Sequence, residues 1–434
     1  MWVCPTDITP IILNHYNKVF DLPGVSKGAK ASVIGKIRDD GQYIVHNDGE
    51  EIVNASAKEV TRGFLYDREF ENPNLSLFEP DLSSYKDLGK TLLEILAHEN
   101  IASREPIYEK YDKQVQGRVS IESGVADSGV LTPFNSTDYP KEIRKVGIAL
   151  STDHNPRYSM ISPYWGGVNA VVEAMRNVAS VGATPHAITD CLCYGNPEKP
   201  KQMWEFVEGT RGISDACNAI TLKDNPSYPT PIIAGNVSFY NESKNGPIPP
   251  SPIVSCLGRL KDIDYVLSMD FQSSGSDILM VGERKDELGG SIYYQLLGEL
   301  GANVPKPDFV EVRSQIFAIT DCAEGGLILS CHDISDGGIA TSIAEMTFRK
   351  NIGCLVKIPG NLQDHKILFS ETGGFVIETK KENTENVINV FKAHGLHASK
   401  IGETGGEYIQ LNETIKVKVR EARHRWENGL REKL

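Results

Sequence analysis

Residues 327–348 read LILSCHDISDGGIATSIAEMTF. The apolar run Leu327–Ser330 is expected to be a strand. After Cys331, the seven residues His332-Asp333-Ile334-Ser335-Asp336-Gly337-Gly338 are expected to form a polar turn, and the apolar spacing of 339–348 predicts a helix that starts at once. A strand–turn–helix junction with two glycines lets backbone amides approach a phosphate, and a helix N-terminus favours negative charge. Asp333 and Asp336 are then candidate oxygen ligands for the magnesium that accompanies a nucleotide, the alternative being that both cap the helix. One aspartate caps a helix; two, with a histidine and a serine, exceed what a cap requires.

Working outward, strands and helices interleave, which indicates α+β or α/β layers. The order expected from Asp277 is strand 278–281, helices 291–300 and 309–324, strand 327–330 and helix 339–348. Upstream, 63–140 is expected to be helical near 88–111 and loop-rich over 123–140, followed by strand 146–150 and the polar loop STDHNPRY. Val168, Val171, Val172, Met175 and Val178 mark one apolar helical face, and Glu173 and Asn177 lie one turn apart at its margin. A carboxylate and an amide oxygen at that spacing suit a hard divalent ion, although such a pair alone also fits a solvated surface. A further helix, opened by the Pro-bounded segment Asn196–Pro200, is expected to run through Cys217, then a polar loop over 221–231. The run 232–238, IIAGNVS, reads as a strand ending in Gly235-Asn236-x-Ser238, which offers close backbone approach, a metal-binding carbonyl and a hydroxyl, or is equally a plain strand-to-loop turn. Asp127, Asp153 and Asp190 fall near the ends of apolar segments and together suggest an acidic rim for a magnesium nucleotide.

An internal echo organises the chain. ASVIG (31–35) is followed by GQYI (41–44), and ASKIG (398–402) by GEYI (406–409). Each is preceded by an apolar segment expected as a strand (1–4; 375–378) and a helix ending near Val19-Phe20 or Val390-Phe391. One supersecondary unit therefore occurs twice. The second copy completes a longer domain and the first begins at Met1, so 1–62 is expected to be the end of a domain whose first part is missing.

With 45 Lys+Arg against 58 Asp+Glu over 434 residues, the net charge is −13, which excludes broad, sequence-independent nucleic-acid binding. No apolar stretch approaches the ~20 residues of a membrane span, and 1–10 lacks a signal-peptide pattern. Eight scattered cysteines read as reduced core thiols of a cytoplasmic protein; Cys191 and Cys193 lack a second ligand pair for zinc. There is no GxxxxGK[ST] loop, no HExxH and no Gly-x-Cys-x-Gly nucleophile elbow.

The runs NPRYSMISPYWGGVNAVVEAMRNVASVGATPHAITDCLCYGNPEKPKQMWEFVEGTRGI (155–213), GNVSFYNE (235–242) and CHDISDGGIATSIAEM (331–346), with YDKQVQG (111–117) and LFSETGG (368–374), closely resemble one family. It is the synthetase subunits of phosphoribosylformylglycinamidine synthase, in the aminoimidazole-ribonucleotide synthetase superfamily. The resemblance implies an α+β architecture: an A-type domain followed by a three-layer α/β/α B-type domain, preceded by part of another B-type domain. It assigns 1–62 to the end of a first B-like domain, 63–263 to a second A-like domain and 264–434 to a second B-like domain. The implied reaction is ATP-dependent conversion of formylglycinamide ribonucleotide to formylglycinamidine ribonucleotide in purine biosynthesis. Its ammonia comes from a glutaminase subunit, usually bridged by a small third subunit.

By resemblance, Asp190 and Gly235 contact ATP, Asn236 ligates magnesium and Ser238 contacts the substrate. Asp127, Glu173, Asn177 and Asp333 match magnesium ligands of an auxiliary nucleotide, and Ser335 touches that nucleotide. The family's catalytic histidines and its main magnesium carboxylates lie in a first half with no counterpart here. His154, His186 and His332 are not those histidines, so no catalytic residue is assigned. Two readings follow: part of an amidoligase site completed by the missing N-terminal half, or a non-catalytic scaffold that holds Mg²⁺ and ATP or ADP.

Overall fold

The run Asp277-Ile278-Leu279-Met280-Val281 has no polar residue after its first position, and all five residues are buried. In the computed structural model, which describes residues 1–82 and 87–434, this run is an interior strand of a seven-stranded sheet. The strand order is Ser330–Ile334, Gly374–Thr379, Asp277–Val281, Ala398–Thr404, Cys354–Val356, Tyr408–Leu411, Ile415–Lys418. All neighbours are antiparallel except Cys354–Val356 with Tyr408–Leu411. Successive side chains of a strand point to opposite faces, which divides the run between two cores. Leu279 and Val281 pack with Phe375, Ile377 and residues of the helices Phe309–Glu324 and Thr384–Ala393. Ile278 and Met280 pack with Val376, Ile401 and residues of the helices Leu88–Leu96, Gly338–Phe348 and Val419–Asn428. Helices on both faces make the expected three-layer α/β/α arrangement.

A second sheet has six strands in the order Val119–Ile121, Gly129–Leu131, Gly147–Asp153, Ser251–Leu260, Thr184–Cys193, Ile232–Ser238, with only the last pair parallel. One face carries the helices Pro163–Ser180 and Pro200–Ala219; the other leaves Leu131, Leu150 and Ile232 exposed. The two helices cross closely. A Cβ on Gly167 would lie 2.2 Å from the Gly209 carbonyl oxygen, and one on Gly212 would lie 2.1 Å from that of Tyr164. Fifteen of the 18 residues of Pro163–Ser180 are buried, more than one apolar stripe could account for. The helix lies between the sheets: Val168, Val172 and Met175 share a core with Val254 and Cys256 of one and Leu279 and Phe375 of the other. The Ser151 hydroxyl fixes its seat by donating to the Ala174 carbonyl oxygen at 2.7 Å.

These sheets belong to one compact unit, Arg68–Leu434; Met1–Asp67 is another. None of residues 1–67, all of them described, is buried. The first unit contains the hairpin Gln42–Asn47/Glu50–Ser56, closed by Asp48 and Gly49, both at positive φ, and followed directly by the helix Ala57–Arg62. The second copy of the echo repeats this as the hairpin Tyr408–Leu411/Ile415–Lys418 and the helix Val419–Asn428. The copies differ upstream. ASKIG begins the strand Ala398–Thr404, paired on both edges, whereas 31–35 and 1–4 are not strand.

Several expected boundaries move. The strand beginning at Gly147 runs on through Asp153, so Ser151-Thr152-Asp153 is sheet and not loop. The strand expected at 327–330 lies at Ser330–Ile334, which places His332 and Asp333 on it. The region 88–111 divides into Leu88–Leu96 and the short helix Glu105–Tyr108, and 291–300 shortens to Ile292–Leu296. The loops at 123–140 and 221–231 contain the strands Gly129–Leu131, Thr221–Leu222 and Asn225–Pro229.

One buried side chain ties three of these segments together. Glu371 Oε1 accepts from Gly337 N at 2.7 Å and Ile292 N at 2.9 Å, and Oε2 accepts from the Tyr158 hydroxyl at 2.5 Å. Each buried donor left unpaired costs about 1–3 kcal/mol. The Glu371→Ala variant should therefore lose at least about 3 kcal/mol of stability in urea denaturation. A loss under about 1 kcal/mol would show that water replaces the carboxylate without penalty.

Candidate functional site

On the edge strand both His332 and Asp333 are buried but face opposite ways: Asp333, opposite Phe375, faces the core of helix Pro163–Ser180, and His332, opposite Val376, faces that of helix Gly338–Phe348. Asp333 is 2% exposed, and its amide donates to Asp127 Oδ2 at 3.1 Å. His332 Nδ1 lies 2.8 Å from Asp127 Oδ1, and Nε2 lies 3.0 Å from Glu345 Oε2. The Trp426 indole donates to the other Glu345 oxygen at 3.0 Å, extending the chain of contacts to the C-terminal helix. Burial alone would lower the His332 pKa, but Asp127 and Glu345 hold it well above its ordinary value.

The helix between the sheets brings Glu173 and Arg176 to the same place, both buried. Arg176 Nε is 3.9 Å from Asp333 Oδ2, and neither atom has a hydrogen-bond partner. Asp153 and Asp336 complete the group. Each keeps some surface exposed, and the Asn155 amide donates to Asp336 at 3.0 Å. Burial and then the neighbouring carboxylates push Asp153 and Glu173 well above the carboxylate range. Burial, then Asp127, raises Asp333 to about 7; burial raises Asp336 to about 6; burial, then Asp336, raises Glu371 to about 8. Mutually repelling, desolvated carboxyls with an orphaned oxygen on Asp333 are a donor set suited to a hard divalent cation. Ligand atoms of Asp127, His332 and Asp333 all lie within 4.8 Å of one another.

The structure thus brings Asp127, Glu173 and Asp333 together, with the Ser335 hydroxyl donating to Asp333 Oδ1 at 3.4 Å. Asn177 is half-buried one turn beyond Glu173, and its amide makes no hydrogen bond among the described residues. The expected amide cradle is partly taken: Gly337 N is bound to Glu371, and Gly338 N to the Ser335 carbonyl. Gly337 and Gly338 have φ of 79° and 71°, and a Cβ on Gly338 would lie 2.7 Å from the Leu368 and Ser370 carbonyl oxygens. These glycines turn the chain beneath 368–370.

The residues Asp190, Gly235, Asn236 and Ser238 form a second group. In the parallel pair, Asp190 is opposite Gly235, Cys191 opposite Asn236 and Cys193 opposite Ser238. A Cβ on Gly235 would lie 2.3 Å from Asp190 Oδ1, so the glycine makes room for that carboxyl, whose pKa burial raises. Val254 pairs with Asp153 on one side and Asp190 on the other, placing the two aspartates in one row of one face, about 10 Å apart. Asn236 and Ser238 point to the opposite face. Sequence reasoning missed Glu345, Arg176, Tyr158 and Glu371. Only Glu371 carried a local signal, being a lone acid between the apolar 367–369 and Gly373-Gly374.

Models of AIR synthase related proteins match this chain twice, the N-terminal domain over 127–260 and the C-terminal domain over 273–411. The chain belongs to this family and, within it, to the phosphoribosylformylglycinamidine synthase subunits. Subunit PurL of Methanothrix thermoacetophila is 43% identical over 437 residues, covering 99% of this chain and 56% of that one. PurL of Methanocaldococcus jannaschii is 35% identical, covering 94% and 55%. This chain therefore spans about half the length of the curated relatives it matches. Thermotoga maritima PurL complexed with FGAR has a similar fold, with a TM-score of 0.61 at 18% identity over 80% of this chain and 54% of that one. The PurLQS structure from the same organism gives 0.58 at 18% identity, over 79% and 52%.

The raised carboxyls fix a pH dependence. In the folded chain they hold protons that the same groups release near pH 4 when unfolded, so stability falls as pH rises from about 4 to about 8. Without metal, the thermal midpoint should drop between pH 5 and pH 8, and Mg²⁺ should flatten that slope. A midpoint that climbs over this interval would contradict the assignment.

Proposed function

We propose that this chain contributes nucleotide, magnesium and substrate contacts to a cytoplasmic, ATP-dependent amidoligase. The reaction is conversion of formylglycinamide ribonucleotide to formylglycinamidine ribonucleotide. ATP phosphorylates the amide oxygen, and ammonia then displaces the phosphate at the amide carbon. A glutaminase subunit delivers the ammonia, a small third subunit bridges the two, and the half of the relatives' length not spanned here supplies the catalytic histidines. The domain limits proposed are 1–62, 63–263 and 264–434. The observation that carries this reading is the 43% identity over 99% of the chain to a PurL subunit, joined to the buried carboxyl cluster within both matched domains.

Within this reading, Asp127, Glu173 and Asp333, with Asn177, hold Mg²⁺, and Ser335 faces the nucleotide. Bound magnesium supplies the positive charge that offsets the phosphates and lets neighbouring carboxyls ionise together. His332, clasped between Asp127 and Glu345, holds Asp127 in place. Asp190 and Gly235 contact ATP, Asn236 ligates a magnesium and Ser238 meets the substrate.

The Asp333→Asn variant separates a functional role from a structural one. At pH 8 without metal, it removes a buried charge repelled by its neighbours, so its thermal midpoint should equal or exceed that of the parent. Calorimetric binding of ADP with Mg²⁺ should weaken by at least about tenfold. Unchanged nucleotide binding would remove Asp333 from the site. Turnover with the remaining half, ATP, substrate and ammonia distinguishes the amidoligase from the non-catalytic scaffold.

A further inference from the structure

Cys191 and Cys193 have no part in the function proposed above. Two positions apart on the strand Thr184–Cys193, they emerge on the same face. Their neighbours across both edges follow from the register. Ile253 and Asn236 flank Cys191; Ser251 and Ser238 flank Cys193. Both thiols are free and half-buried, and Asn236 is exposed. The sulfurs are 3.8 Å apart, and Asn236 Nδ2 lies 3.4 Å from Cys191 Sγ. The Ser238 hydroxyl is engaged with Asn241 Oδ1 at 3.2 Å, which leaves two thiols and one carboxamide converging.

A disulfide bond of about 2.05 Å would require the sulfurs to close by nearly half, on a strand hydrogen-bonded along both edges. A metal ion requires no such movement. With metal–sulfur bonds of about 2.3 Å, the 3.8 Å separation subtends about 110° at the metal, close to the tetrahedral angle. Turning the Asn236 amide over presents its oxygen as a third donor, and water takes the fourth position.

We propose that Cys191, Cys193 and Asn236 form a site for a thiophilic divalent cation, of the zinc and cadmium class, on the open face of the six-stranded sheet. As each metal–sulfur bond forms, its S–H proton leaves to solvent, so two protons are released per ion and no electrons are transferred. Thiolates select a soft ion, whereas the oxygen donors of Asp127, Glu173 and Asp333 select a hard one, so those two sites do not compete for the same metal; Asn236, proposed above as a magnesium ligand, can serve only one ion at a time, so a thiophilic ion here displaces that magnesium contact. The binding does not rest on the amidoligase reading.

The test is a titration of Cd²⁺ into the full chain under a phosphine reductant, following the ultraviolet thiolate-to-cadmium absorption and proton release. The expected result is a band saturating at one equivalent with two protons released. The Cys191→Ser and Cys193→Ser variants should bind more than about 100-fold more weakly, and Asn236→Ala about tenfold more weakly. Cys217→Ser, which changes a buried thiol elsewhere, should titrate like the parent. Thermal midpoints establish that each variant folds, and Cys193→Ala repeats the measurement if the serine variant does not. Absence of the band in the parent, or an undiminished band in a folded Cys193 variant, overturns the site.

Discussion

One helix has to satisfy two sheets at once. Pro163–Ser180 lies against the six-stranded sheet through Ser151 and Val254 and against the seven-stranded sheet through Leu279 and Phe375. Water is therefore excluded around nearly its whole circumference. The close glycine crossing with Pro200–Ala219 follows from the same crowding. So does the position of Glu173 and Arg176, ionisable residues that are largely buried, near the edge strand bearing Asp333. Burial of this kind is costly unless the charges are paired or neutralised. The chain tolerates it where a ligand of opposite charge would relieve it. Stability and binding are set against each other at this point of the fold.

The surroundings of the cluster are rigid by comparison. Glu371 is held by three donors, Asp127 by a ring nitrogen and a backbone amide, and His332 by carboxylates on either side. Such partners fix side chains before any ligand arrives, and that preorganisation is what an electrostatic site requires. The contacts reach as far as Trp426, so the C-terminal helix is mechanically part of the site although no residue of it faces the acidic group directly.

Much of this was legible in the sequence. The apolar run at 277–281, the glycines after Asp336 and the helical spacing of 309–324 each carried their own signal, and the structure places elements there. What was not legible was non-local. Spacing placed Glu173 at the margin of an apolar face and left a metal ligand and a solvated surface both open, because periodicity reports one apolar stripe and nothing near it in sequence announces a second sheet on its far side. The strand at 330–334 was placed early because His332 and Asp333 are polar, and only their partners across the fold make them acceptable inside it. Asp153 was assigned to a loop for the same reason, since its pairing with Val254 is made by a strand a hundred residues downstream. The family resemblance supplied the grouping of Asp127, Glu173 and Asp333 that spacing alone left open.

The two copies of the hairpin and helix separate local instruction from long-range instruction. Gln42–Ser56 and Tyr408–Lys418 turn back on themselves within a dozen or so residues, and each leads straight into a helix. Loops this short close in microseconds or less, so both hairpins belong among the first pieces of the chain to take shape. The strand Ala398–Thr404 pairs on one edge with residues more than a hundred positions earlier and on the other with residues about fifty earlier, and waits for that much chain to be gathered. Residues 31–35, with nearly the same letters, join no sheet. In this protein the order of folding events is written into how far away each strand's neighbour lies.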